Sequence, residues 1–156
     1  MIPPYQATVL SDWIDYNGHL NVAYYVLLFD HALDDALAWF GLGGAYRRDE
    51  GCSVFVAEHH VVYDREVLLD AGVVVRSRML EVGDRRLVAF QEMAVAGSDA
   101  RPVATCETLC VHVDLGRRRS VPWPAAVRAR LTAGLENETS NRSPRIGGGI
   151  RLDRSA

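Results

Sequence analysis

The chain predicts an α+β fold in which one long helix is wrapped by a curved five-stranded antiparallel sheet. Three observations carry this expectation. A single stretch, residues 22–40, has helical apolar spacing; four later stretches alternate with period 2; and turn sequences separate the last three of them. One helix cannot cover both faces of a flat sheet that wide, so the sheet is expected to curl around it.

The elements follow in order. Residues 5–10, YQATVL, are short and β-prone and read as a first strand. A polar, aromatic-rich loop comes next, within the run DWIDYNGHLNVAYY at residues 12–25. From Val22 the apolar positions Tyr25, Val26, Phe29, Ala32, Leu33, Ala36, Leu37 and Phe40 recur at three-four spacing, one stripe of a buried helix. Asn21 is placed to cap its start, and Gly41, Gly43 and Gly44 to stop it. At ~1.5 Å per residue, roughly 19 residues span about 29 Å, the width of a small domain.

After the helix the period changes to 2. SVFVAEHHVVYDREV (53–67), AGVVVRSRMLEV (71–82), RLVAFQEMAVA (86–96) and PVATCETLCVHVD (102–114) are rich in β-branched residues and alternate in polarity. The joints GDR (83–85) and GSDA (97–100) read as hairpin turns, which makes the last three strands an antiparallel meander. PWPAAVRARLTA, residues 122–133, suggests a short closing helix. The polar, Gly-rich and aperiodic remainder suggests a single domain over 1–134 and a mobile tail over 135–156.

Composition narrows the function classes. A net charge of −3 with 49% apolar residues suits a globular protein and gives no reason to expect a nucleic-acid partner. All 17 basic residues are Arg, which excludes a Lys nucleophile, a Schiff base and a P-loop. On one strand Cys106 and Cys110 would lie ~13 Å apart, too far for a disulfide, so they and Cys52 read as reduced thiols. No stretch approaches the ~20 apolar residues of a membrane span, and MIPPYQ has no leader character, so cytoplasm is expected. No His, Cys and Asp grouping has metal-ligand spacing and no Gly-x-Ser-x-Gly occurs, so neither a metal nor another cofactor is expected.

The loop before the helix has two readings. A helix start offers unpaired N–H groups carrying about half a positive charge, able to stabilise an oxygen that becomes negative. A carboxylate beside it, here Asp15, can attack a carbonyl or take a proton from water. Those parts suffice for acyl hydrolysis without a metal or a Ser nucleophile. Equally, Asp15 and Asn17 can tie down the loop while Asn21 caps the helix.

Asp15-Tyr16-Asn17-Gly18-His19-Leu20-Asn21, followed by Tyr24 and Tyr25, resembles the Asp-x-x-Gly-His-x-Asn signature of the 4-hydroxybenzoyl-CoA-type hotdog thioesterases, with WIDYNGHLNVAYY similar to the betainyl-CoA thioesterases of carnitine catabolism. The resemblance runs from about Tyr5 to Pro124, with HVVYDREV and CETLCVHVD similar to the second and last strands of that family. It implies a hotdog fold and an acyl-CoA substrate, hydrolysed in a homodimer or a dimer of dimers with active sites at the subunit interface. Carried onto this chain, Asp15 would be the catalytic carboxylate, Gly18 would let the acyl group approach the backbone, and helix-start amides near Asn21 would polarise the thioester oxygen.

Other residues admit a role beside a structural one. His19 is either a polar contact near the acyl group or a loop-orienting hydrogen bond. Trp13, Tyr16, Tyr24 and Tyr25 crowd the same region, as an aromatic cage for a quaternary ammonium group would, or as packing. His59 is expected on a core face with Phe55, Val61 and Tyr63, leaving Glu58 and His60 on the other. Arg85 with Arg86, or the run from Arg117 to Arg119, could meet CoA phosphates or lie as solvated surface. Two further activities compete: a hotdog hydratase or dehydratase, against which His19 falls one residue early for the signature, and a non-catalytic acyl-CoA-binding module, in which a buried carboxylate would be costly.

Overall fold

A computed structural model of the chain describes residues 1–97 and 101–135, together with Ile146. The expected tail thus lies outside the described residues apart from Leu135 and Ile146, as does most of the 97–100 turn. The elements are β1 (Tyr5–Thr8), a 3-10 turn (Ser11–Trp13), α1 (Val22–Trp39), α2 (Gly44–Glu50), β2 (Cys52–Tyr63), β3 (Gly72–Val82), β4 (Arg86–Val95), β5 (Ala104–Asp114), β6 (Arg119–Ser120) and α3 (Ala125–Ala133).

The strands form one antiparallel sheet in the order β1-β3-β4-β5-β2. The predicted meander is β3-β4-β5, its first hairpin closed by the Gly83 N–H donating to the Arg86 carbonyl at 2.8 Å. Among the described residues the sheet has six strands rather than five, because the two-residue β6 returns alongside β5 through a turn with Arg118 at φ 55°. Its sequence, Arg119-Ser120, has no apolar alternation to reveal it. The short α2 was also illegible: in GAYRRDE only Tyr46 is buried, too little to define a period. α3 begins at Ala125 rather than at residue 122, since Pro124 holds Trp123 out of helical conformation.

The helix α1 seats its buried stripe in the curled sheet. Tyr25, Leu28, Phe29 and Ala32 pack with Val73, Val75, Met93, Ala104 and Cys106, while Leu33, Ala36, Leu37 and Phe40 pack with Met79, Leu87, Ala89 and Cys110. Each fully buried Leu or Phe contributes roughly 1.5–3 kcal/mol relative to exposure. Leu28 takes part in this stripe, whereas Val22, which the spacing placed on it, is 57% exposed. A polar pin crosses the core, where the buried Gln91 amide donates to the Phe29 carbonyl at 2.9 Å and to Ser77 Oγ at 3.2 Å.

One register shift matters. β2 and β5 pair Val56 with Cys110 but Glu58 with Leu109, a bulge that spends one extra residue on β2. The alternation slips there, so His59 shares the inner face with Val61 and Tyr63 opposite Thr108, Cys106 and Ala104, while Phe55 joins Glu58 and His60 outside. The expectation that Phe55 shares the face of His59 is corrected by that bulge. No helix among the described residues is long and apolar enough to cross a membrane.

Candidate active site

The loop is a small hairpin built from its own polar groups. Ile14 and Leu20 form an antiparallel bridge. Within it the Asp15 N–H donates to the His19 carbonyl at 3.1 Å, and the Gly18 N–H to the Asp15 carbonyl at 3.0 Å. Asp15 Oδ1 accepts from the Asn17 N–H at 2.8 Å, an Asx turn. Gly18 sits at φ +82°, a left-handed conformation that glycine reaches without strain. Asp15 thus shapes the turn through one oxygen, and the half-buried residue also lines a cleft.

The helix start is laid against that hairpin. The Asn21 N–H donates to the Trp13 carbonyl at 2.9 Å, and Asn21 Oδ1 accepts from the Ala23 N–H at 2.9 Å as the expected N-cap. The Tyr24 N–H is taken by the Asn21 carbonyl at 3.0 Å. The Val22 N–H has no hydrogen-bond partner among the described residues.

A second wall comes from the residues after β2. The strand ends at Tyr63, earlier than the sequence suggested, and residues 64–67 leave the ladder to run beside the loop. The Leu20 N–H donates to the Val67 carbonyl at 2.8 Å, and the Tyr25 hydroxyl to the Arg65 carbonyl at 3.3 Å. Between the two walls lies a cleft of about 590 Å³ lined by Asp15, Tyr16, Asn17, His19, Leu20, Asn21, Val22, Tyr25 and Tyr63 through Glu66, a size typical of small-molecule sites.

The structure redistributes the aromatics. Trp13 and Tyr24 stack on each other at 5.4 Å and 19° and pack against the core, outside the cleft lining, and Gly18 also lies outside it. Of the residues expected around the acyl group, Tyr16, His19, Asn21 and Tyr25 do line it, and Tyr63 joins them. Tyr63 meets Tyr25 edge to face, with ring centres 5.2 Å apart and planes at 81°. Burial pushes the Tyr25 hydroxyl above the usual phenol range. His19 donates from Nδ1 to the Leu20 carbonyl at 3.2 Å, a loop-orienting bond made from the cleft wall.

The remaining candidates lie elsewhere. His59 Nδ1 bonds Thr108 Oγ1 at 3.0 Å and Cys106 Sγ at 3.2 Å, and burial lowers its pKa from 6.5. Cys106 and Cys110 are free thiols pushed up by burial to about 11 and about 12, protonated and unreactive at neutral pH. Among the described residues no group of three or more His, Cys, Asp or Glu side chains could hold a metal ion. Arg85 and Arg86 sit at the β3–β4 turn and Arg117 after β5, where Arg85 binds Asp84 and the Ser120 carbonyl and Arg117 binds Asp114. That end of the sheet carries Cys52, paired with Asp114, while the cleft adjoins Tyr63, paired with Ala104. At ~3.3 Å per residue the two ends of β2 are about 36 Å apart, so within one chain these arginines are remote from Asp15.

Residues 9–131 match the thioesterase-like superfamily. The chain belongs to that family. This thioesterase is 36% identical over 136 residues to a betainyl-CoA thioesterase of Pseudomonas aeruginosa, covering 87% of this chain and 85% of that one. A crystal structure of a putative thioesterase from Pseudomonas putida superposes with a TM-score of 0.79 at 34% identity, covering 95% and 94% of the two chains. A Staphylococcus aureus protein solved in complex with CoA shares the fold, with a TM-score of 0.85 at 22% identity over 96% of this chain and 94% of that one. The fold is the hotdog fold that the loop signature implied, and the enzyme is a thioester hydrolase.

Proposed function

We propose that this thioesterase hydrolyses a small acyl-CoA, betainyl-CoA in particular, to the free acid and CoA, with Asp15 as the catalytic carboxylate. The observation that carries the reading is the cleft, which brings Asp15 and the exposed helix start at Val22 into one cavity. Likeness over most of the chain to a betainyl-CoA thioesterase supports the substrate. Asp15 either attacks the thioester carbonyl, expelling the CoA thiolate and leaving a mixed anhydride that water cleaves, or removes a proton from the water that attacks directly. In both routes the carbonyl oxygen becomes negative. The Val22 N–H, not consumed by the cap, is the donor placed to receive that charge.

The working enzyme is proposed to be a cytoplasmic homodimer or dimer of dimers. Among the described residues strand β2 pairs only with β5, leaving its other edge unpaired there, and Phe55 and Val56 on it are 40% and 39% exposed. Antiparallel pairing of two β2 edges would lay the Arg86 and Arg117 end of one copy beside the cleft of the other, where the phosphates of CoA need positive partners.

Replacing Asp15 by Asn tests the mechanism. The amide oxygen preserves the acceptor for the Asn17 N–H, so the loop keeps its shape while the nucleophile or base is lost. The expected outcome is a fall in kcat for betainyl-CoA of about 10²- to 10⁴-fold with an unchanged circular dichroism spectrum. Wild-type turnover in this variant would remove Asp15 from the chemistry.

A further inference from the structure

The sign of the cleft is at odds with most of a CoA ester. Its lining carries three carboxylates, Asp15, Asp64 and Glu66, against one guanidinium, that of Arg65. Arg65 donates through Nη2 to the Arg101 carbonyl, and even in full its charge leaves the carboxylates in excess. Such a cavity repels phosphates and favours a cation. The second feature is aromatic: Tyr25 and Tyr63, with planes at 81° and centres 5.2 Å apart, form two walls of a corner. Tyr25 is 4% exposed and held by its hydroxyl on the Arg65 carbonyl, while Tyr63 is 44% exposed on the cleft lining. Aromatic faces backed by carboxylates are the standard means of holding a quaternary ammonium group, which has no proton to donate and is recognised through its charge and methyl surface.

We propose that the Tyr25–Tyr63 corner, with the Glu66 carboxylate beside it, is the subsite that binds a quaternary ammonium group on the acyl chain and sets the specificity of this thioesterase. The assignment rests on the thioesterase reading above and revises the Trp13, Tyr16, Tyr24 and Tyr25 cage that the sequence suggested: Tyr25 stays, while Trp13 and Tyr24 stack on each other outside the cleft. Dimensions agree with it. In a betainyl thioester a single methylene separates the carbonyl carbon from the nitrogen, a distance of about 2.5 Å from ordinary N–C and C–C bonds at a tetrahedral angle. The ammonium subsite must therefore share the cavity of the attacking carboxylate, as Tyr25, Tyr63 and Glu66 do with Asp15. The phosphates would then lie outside this acidic cavity.

The test compares betainyl-CoA with its neutral carbon isostere, 3,3-dimethylbutyryl-CoA, in which a tert-butyl group replaces trimethylammonium without changing shape. Steady-state thiol release by the full chain gives kcat/KM for each. The wild-type ratio is expected to favour betainyl-CoA at least tenfold; Glu66→Gln and Tyr63→Leu each lower that ratio at least threefold, and Tyr63→Phe, which keeps the ring, retains it. Both positions are solvent-exposed, so the folds of the variants can be verified by thermal melting. Equal wild-type turnover of the two esters overturns the ammonium subsite and leaves the thioesterase reading intact. A strong preference that neither Glu66→Gln nor Tyr63→Leu erodes places the recognition elsewhere and also overturns the subsite. Failure to hydrolyse any acyl-CoA overturns both.

Discussion

At the residue scale, one side chain both builds the loop and lines the cleft. Asp15 closes an Asx turn through Oδ1 and still lines the cleft, so its structural role leaves the proposed catalytic one open to it. Gly18 contributes through its backbone alone. A Cβ there would meet nothing within 4 Å, but φ is +82°, so Gly18→Ala is expected to lower stability by about 1 kcal/mol through strain without a clash. Urea denaturation measures this, and an unchanged midpoint would refute it. His59 gives a pH dependence whose sign follows from burial. Because the folded state resists protonating this imidazole, the unfolded chain binds the proton first, near pH 6.5. Its contribution to stability is full above that value and is lost as pH falls from 6.5 toward the lower folded pKa. Melting temperatures measured between pH 7 and 5 should therefore fall less steeply in His59→Gln than in the wild type. Equal slopes would exclude His59 as a source of the dependence.

At the element scale, α1 was legible because its apolar stripe and its cap agree. Asn21 was expected as N-cap, and its side chain does accept from the Ala23 N–H at 2.9 Å. Asn21→Ala should cost about 1 kcal/mol, read from the urea midpoint. The four long strands were equally legible as period-2 runs, but the facing of β2 was not. Its bulge between Val56 and Glu58 depends on how β2 registers against β5, a long-range fact that no window on β2 contains. The same holds for the end of β2. Asp64-Arg65-Glu66 read as a continuation of the strand, and only the bond from the Leu20 N–H to the Val67 carbonyl shows it turning beside the Asp15 loop.

At the scale of the whole molecule, the open edge of β2 and the distance between the arginines and the cleft lead to the same expectation. A 12-residue strand with one edge unpaired among the described residues and exposed Phe55 and Val56 is a template for a second copy. Sedimentation equilibrium should return at least twice the 17.3 kDa chain mass. The double change Phe55→Asp with Val56→Asp, which charges that edge, should shift the protein toward monomer and reduce kcat/KM for acyl-CoA as the phosphate contacts of the second copy are lost. A wild-type monomer of full activity would remove both the dimer and the role of Arg86 and Arg117.

The sequence by itself determined the local quantities: one buried helix, the meander, the loop signature that carries Asp15, and the family. These depend on periodicity, capping and turn chemistry, all written within short windows of the chain. Only the tertiary structure decided which rings face the cavity. Trp13 and Tyr24 neighbour Asp15 in sequence but satisfy each other against the core, whereas Tyr63 and Glu66, more than forty residues away, complete the opposite wall. A cavity is the space left between segments that meet only when the sheet has curled around the helix, and its lining is set by register and crossing rather than by nearness along the chain.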